Sequence, residues 1–162
     1  MIGTYPLNNG YLIINYEGKI IKRIYWEKNP KKININFPFY TLFDSYFHGE
    51  NVDFSKVSLD FSMVSPFCKK VYELAREIPF GKITSYKAIA EKLGYNNGSR
   101  AVGQALAKNP FLIIIPCHRV IRSDGRLGNF SLGVEFKKFL LKLEGIEEVE
   151  NGKILSLRYW WY

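Results

Sequence analysis

The feature that most constrains the fold is a single change of hydrophobic period, at Ser65-Pro66. Upstream, residues 11–16 and 19–26 are dense in Ile, Tyr and Trp, and Glu17-Gly18 separates them, which predicts a β-hairpin. Asn29-Pro30-Lys31-Lys32 reads as a loop. Leu42, Phe43, Tyr46 and Phe47 recur at helical spacing, so a helix is expected over 39–48, ending near Gly49. Residues 57–61 alternate like a strand. Downstream, Phe67, Val71, Leu74, Ala75 and Ile78 form one helical apolar face. Ser85 and Ser99 are placed to cap two short helices joined by the Gly-bearing turn 94–98, a helix-turn-helix pattern. Asn109-Pro110 stops the second helix, and a last helix is expected over 134–143. Asn151-Gly152 signals a turn, after which residues 153–159 would pair back as an added strand. The expected division is therefore 1–63, a strand-rich α/β domain; 64–146, mainly α; and 147–162, a hairpin or strand extension.

Composition narrows the class. At 47% hydrophobic and 23% charged residues the chain reads as globular, which excludes disorder, collagen and coiled coil. The longest apolar run, 111–115, has five residues against the ~20 of a membrane span, so no membrane partner is expected. The first residues lack a secretory pattern. A cytoplasmic protein is expected, or a nuclear one in a cell with a nucleus. Two cysteines and two histidines without zinc spacing predict neither a disulfide framework nor a metal. The charge is uneven: residues 64–146 carry 14 basic and 6 acidic side chains, whereas 1–63 carry 7 and 6. A basic module of this size points to a polyanion such as nucleic acid, although the same excess also serves solubility.

One dipeptide carries chemistry. Cys117 follows the apolar run and Pro116, and His118 is next to it. Adjacent side chains diverge by about 100° on a helix, so a direct thiol–imidazole pair is disfavoured and a water relay, with a carboxylate orienting the imidazole, is more natural. Taken alone, a Cys-His dipeptide is also what a structural cysteine leaves behind. Cys68, at the start of an apolar helical face, reads as structural.

Ile115-Pro116-Cys117-His118-Arg119-Val120, with Ser99-Arg100-Ala101-Val102-Gly103 and Asn109-Pro110 before it and Gly128-Asn129-Phe130-Ser131 and Glu144-Gly145 after it, resembles the O6-alkylguanine-DNA alkyltransferase family over residues 64–146. The resemblance implies a ribonuclease-H-like N-terminal domain and a winged helix-turn-helix C-terminal domain. It implies stoichiometric, cofactor-free DNA repair, in which Cys117 takes an alkyl group, mainly methyl, from O6 of guanine. In that scheme His118 polarises a water, Glu144 orients His118, Asn109 braces the turn beside the thiol, and Tyr86 donates a hydrogen bond to the leaving guanine. Arg100 would fill the space of the flipped nucleotide, with Ser99, Ala101 and Gln104 on the DNA-facing helix. Ala101 and Ala105, four apart, would let that helix enter a minor groove. Val120, Asn129, Ser131 and Leu132 would form the pocket. Double-stranded DNA bearing O6-alkylguanine is the implied partner, with O4-alkylthymine a further candidate, and the protein would act as a monomer. Three positions depart from the family's pattern: Phe130 for a frequent tyrosine, Leu132 for a glycine, and Gln104 for a small residue. Leu132 would narrow the pocket. The competing readings are a non-catalytic winged-helix protein that recognises alkylated DNA and a cysteine hydrolase, which the adjacent Cys-His geometry disfavours.

Overall fold

The computed structural model describes residues 1–147 and 151–162. It divides into two compact units, Met1–Met63 with Pro110–Ile114, and Val64–Asn109 with Ile115–Tyr162. Among the described residues no helix is long and apolar enough to cross a membrane.

The first unit is built on an antiparallel meander of β1 (Ile2–Leu7), β2 (Gly10–Glu17) and β3 (Ile20–Glu27). The sequence reading lacked β1. Its signal is Asn8-Asn9, both at positive φ (48° and 59°), the backbone of a tight hairpin turn that Asn tolerates. Pro6 is acceptable in β1 because that strand lies at the edge. The other edge is extended by β4 (Ser58–Leu59), which runs parallel to β3 and is shorter than the strand expected over 57–61. Helix α1 (Tyr40–Phe47) lies within the helix expected over 39–48. It buries Phe43 and Tyr46, and its Phe47 ring stacks 5.2 Å from that of Tyr5 on β1. The apolar run 111–115 is wholly buried but bent. Ile113 sits at φ +74°, a conformation that costs a β-branched residue about 1–3 kcal/mol. Within this unit the run meets the sheet through one parallel bridge, Phe111 to Ile24, where the Ile24 N–H donates to the Pro110 carbonyl at 2.7 Å.

Among the described residues the second unit carries four α-helices. Ser65 Oγ caps α2 (Pro66–Arg76) by accepting from the Cys68 N–H, and Pro66 occupies the first turn, where its missing N–H costs nothing. Ser85 Oγ caps α3 (Tyr86–Lys92) by accepting from the Ala88 N–H at 3.0 Å. Ser99 does not cap: Gly98 is the cap residue and Ser99 is the first residue of α4 (Ser99–Ala107). Two short strands, β5 (Thr84–Ser85) and β6 (Val120–Ile121), pair in parallel. Between α4 and β6, Cys117–Arg119 form one turn of 3-10 helix. Helix α5 (Val134–Leu143) spans the expected residues.

The expected strand over 153–159 does not form. Lys153 makes a single antiparallel bridge to Arg126, and Leu157–Tyr159 coil into a 3-10 turn. Packing explains the difference. Ile154 and Tyr159 are drawn into an apolar cluster with Ile83, Ile121, Leu127, Leu141 and Ile146, and the backbone beyond hydrogen-bonds along β5, with the Trp161 N–H donating to the Ile83 carbonyl at 2.8 Å. Ile154 and Tyr159 thus anchor residues 151–162 to this unit's core. Residues 148–150 of the expected 147–162 extension lie outside the described residues. Ile154→Ala should cost about 2–5 kcal/mol in chemical denaturation, the range for a fully buried large aliphatic; a loss below about 0.5 kcal/mol would mean that the tail is a loose extension.

Candidate active site

Cys117 is 5% exposed at the start of its 3-10 turn, on the wall of a cleft of about 470 Å³. Asn109, just past α4, turns its amide onto the sulfur: Nδ2 donates to the Ile115 carbonyl at 3.0 Å and to Cys117 Sγ at 3.3 Å. Burial pushes the thiol pKa up, while the Asn109 hydrogen bond and the Lys137 charge pull against it. At neutral pH the resting group is a thiol that needs a base.

A candidate base lies one residue on. His118 is fully buried, and its Nε2 meets Glu144 Oε1 at 2.7 Å. Burial lowers the imidazole pKa against the upward pull of Glu144. Burial also works to raise the Glu144 pKa, but His118 and Arg119 together hold the carboxyl well below the usual carboxylate range. The consistent state is a carboxylate facing a neutral imidazole whose Nε2–H donates to it, which leaves Nδ1 as the basic nitrogen.

Arg119, which the sequence reading passed over, explains why the carboxylate can be buried. Its Nε donates to Glu144 Oε2 at 2.8 Å, Nη2 to Oε1 at 2.9 Å, and Nη1 to the Ile78 carbonyl at 2.6 Å. The Gly81 N–H adds a fourth donor to Glu144 at 3.2 Å. A planar fork on a carboxylate is the geometry that compensates desolvation best.

The second residue missed is Lys137. It is fully buried, donating from Nζ to the carbonyls of Val120 (2.7 Å) and Leu127 (2.6 Å) and to Tyr86 Oη (3.4 Å). Burial pushes its pKa down to about 8. The available signal was a lysine at spacing 137, 140, 141 and 144, where the inward face of α5 is otherwise apolar until Glu144.

Tyr86 opens α3 and stands on the cleft wall with Cys117. Burial, and secondly the Cys117 sulfur, push its pKa up to about 12, so it stays a hydrogen-bond donor at neutral pH. Its ring fits because of Gly128: a Cβ there would lie 3.0 Å from Tyr86 Oη, and the φ of +75° already disfavours a side chain.

The remaining expected residues divide. Ser99, Arg100, Gln104, Asn129 and Ser131 line the cleft, and Arg100 and Gln104 are exposed on α4. Ala101 is exposed but off the wall. Ala105 is buried, its carbonyl accepting from Tyr72 Oη at 2.7 Å, so the two alanines do not form one open face. Val120 is buried and off the wall; its N–H donates to the Cys117 carbonyl and its own carbonyl accepts from Lys137. Leu132 is half-buried and not on the wall, so it does not narrow the cleft. Phe130 is on the wall, stacked at 6.3 Å on Phe136.

A buried thiol next in sequence to a carboxylate-held imidazole, on a cleft whose charged wall residues are arginines, is an arrangement that suits a cysteine nucleophile and an anionic partner. Residues 66–146 match the sequence profile described as the DNA-binding domain of 6-O-methylguanine DNA methyltransferase. The methylated-DNA–protein-cysteine methyltransferase of Metallosphaera sedula is 39% identical over 147 residues, 88% of this chain and 92% of that one. Its counterpart in Sulfolobus acidocaldarius is 50% identical over 104 residues, 64% of each chain and so just under two thirds of that relative. OGT from Mycobacterium tuberculosis, solved in complex with DNA, superposes with a TM-score of 0.76 at 31% identity, covering 88% of this chain and 91% of that one. The chain belongs to the 6-O-methylguanine DNA methyltransferase family.

The pKa directions set an acid limit on stability. Glu144 has a lowered folded pKa, so its contribution is present above its ordinary 4.5 and lost as pH falls through the folded value. His118 is also lowered, so its contribution is present above 6.5 and declines below it. The two signs agree, and the unfolding free energy should fall steadily below pH 6.5. Glu144→Gln strands the buried Arg119 and should cost about 3–5 kcal/mol at pH 7, part of which Arg119→Met in the same chain should restore. Denaturant titrations of the three proteins check this; a Glu144→Gln protein as stable as wild type would show that the fork compensates nothing.

Proposed function

We propose that this chain repairs DNA by moving an alkyl group, mainly methyl, from O6 of guanine to its own Cys117 in a single turnover. The observation that carries the reading is the buried Cys117 thiol on the cleft wall, with the amide of Asn109 on its sulfur and His118 beside it held at 2.7 Å by Glu144. The sulfur attacks the sp³ carbon in line. The C–S bond forms as the O6–C bond breaks, and the thiol proton passes through a water to His118 Nδ1. Glu144 stabilises the imidazolium. Tyr86 donates to the departing guanine, and Lys137, donating to Tyr86 Oη, steadies that phenol. The thioether is stable, so the protein is consumed.

In this reading the first unit is ribonuclease-H-like, supported by an antiparallel meander with a parallel fourth strand, and α3 and α4 belong to a winged helix-turn-helix. The basic balance of residues 64–146 supports double-stranded DNA as partner. O6 is hidden in the stack, so the nucleotide must be flipped out at a cost of a few kcal/mol. Arg100, exposed at the start of α4 and on the cleft wall, would occupy the vacated space. Ser99 and Gln104 would flank it, and Asn129 and Ser131 would meet the base.

The deciding experiment is intact-mass measurement after incubation with duplex DNA carrying O6-methylguanine. Wild type should gain one methyl group, located at Cys117 by peptide mapping, and Cys117→Ser should gain none while still binding DNA. A methyl group on Cys117→Ser, or none on wild type, would overturn the assignment, and the latter result leaves a damaged-DNA binder. Arg100→Ala should slow reaction with duplex substrate by about tenfold more than reaction with a free O6-alkylguanine base, which needs no flipping; equal losses would remove Arg100 from that role.

A further inference from the structure

One cation of the cleft is unused by the mechanism above. Arg122 follows β6 directly and stands on the same wall as Cys117. Its backbone is anchored: the N–H donates to the Arg126 carbonyl at 2.8 Å, and its carbonyl accepts from the Gly125 N–H at 3.0 Å. Its side chain is 54% exposed. The nearest acid, Asp124, lies 3.6 Å from Nη2, outside hydrogen-bond range, and the same Oδ2 lies 3.4 Å from Arg126. Asp124 Oδ1 accepts from the Arg126 N–H at 3.0 Å. One carboxylate therefore serves two guanidinium groups, and a five-donor fork on a fixed loop is presented to the cleft. None of the wall residues is Asp or Glu. Leu132, the residue expected to restrict the alkyl group, is off the wall.

Charge on the alkyl group then matters. A thiolate attacking a carbon that bears a carboxylate brings two negative charges together, and a cation beside both offsets the repulsion. We propose that Arg122 is a selectivity residue of the alkyl-transfer reaction: its guanidinium pairs with an anionic oxygen group entering the cleft, either the carboxylate of an O6-carboxymethyl adduct or a DNA phosphate next to the target nucleotide. The inference rests on the alkyl-transfer reading. The transfer balances as for methyl. Sulfur bonds to the methylene carbon, the O6–C bond breaks with its electron pair staying on O6 of the departing guanine, the thiol proton goes to His118, and the carboxylate is unchanged.

The test compares wild type, Arg122→Gln and Arg122→Lys. Single-turnover rates are measured on O6-methylguanine and O6-carboxymethylguanine, each as a free nucleoside without phosphate and within duplex DNA, alongside duplex affinity. If Arg122 reads the adduct, Arg122→Gln lowers the carboxymethyl-to-methyl rate ratio about tenfold in both formats, the scale of one lost charge-assisted hydrogen bond, and Arg122→Lys recovers part of it. If Arg122 reads a phosphate, both duplexes bind about tenfold more weakly to Arg122→Gln while the nucleoside ratio holds. Unchanged ratios with unchanged duplex affinity overturn the proposal, as does an equal loss on all four substrates with lowered thermal stability. A wild-type protein that accepts no alkyl group from any substrate refutes the alkyl-transfer reading instead.

Discussion

The second unit depends on one buried carboxylate. Glu144 sits at the end of α5, where a helix terminus leaves carbonyls exposed and a negative charge is unwelcome. It is held there by the Arg119 fork, the Gly81 N–H and His118. These partners come from two other parts of the chain: the turn that carries Cys117 and the loop after α2. Buried ion pairs are weak sources of net stability, because desolvation consumes most of the attraction. Their value is geometric. Each partner is costly to leave unpaired, so the arrangement that satisfies them all is strongly preferred, and that arrangement fixes the orientation of the His118 imidazole.

Lys137 does the same work for a second set of segments. An ammonium buried on α5 bonds the carbonyl of Val120 on β6, the carbonyl of Leu127 in the returning loop, and the Tyr86 hydroxyl. Three segments are thereby referred to one helix. Together, Glu144 and Lys137 make α5 the scaffold of the site, although α5 contributes no residue to the cleft wall. The low-dielectric interior that makes these charges expensive also makes them rigid, and rigidity is what a site relying on positioned donors requires.

Burial has a second effect, on protonation. The same desolvation that raises the Cys117 pKa lowers that of His118. The resting pair is neutral, so the thiolate arises only as its proton moves. A permanently exposed thiolate would be open to oxidation. In the proposed reaction a buried thiol would keep the nucleophile latent, and the arginines on the cleft wall would supply the charge that a polyanion meets first.

Local rules made much of this legible. The hairpin of β2 and β3, the Ser85 cap and the extent of α5 follow from period and turn chemistry, because those interactions are local, whereas the pairing of His118 with Glu144 was implied by the family resemblance. β1 was within reach through Asn8-Asn9. What the tertiary structure decided was where charge is buried and which faces stay open. Nothing local says that Arg119 and Lys137 turn inward, that Ala105 packs against α2 while Ala101 stays exposed, that Leu132 leaves the cleft, or that residues 153–159 serve a core instead of a strand. Each is settled by which partner reaches a polar group or apolar side chain across a long stretch of chain, and a side chain's worth depends on that partner as much as on its own chemistry.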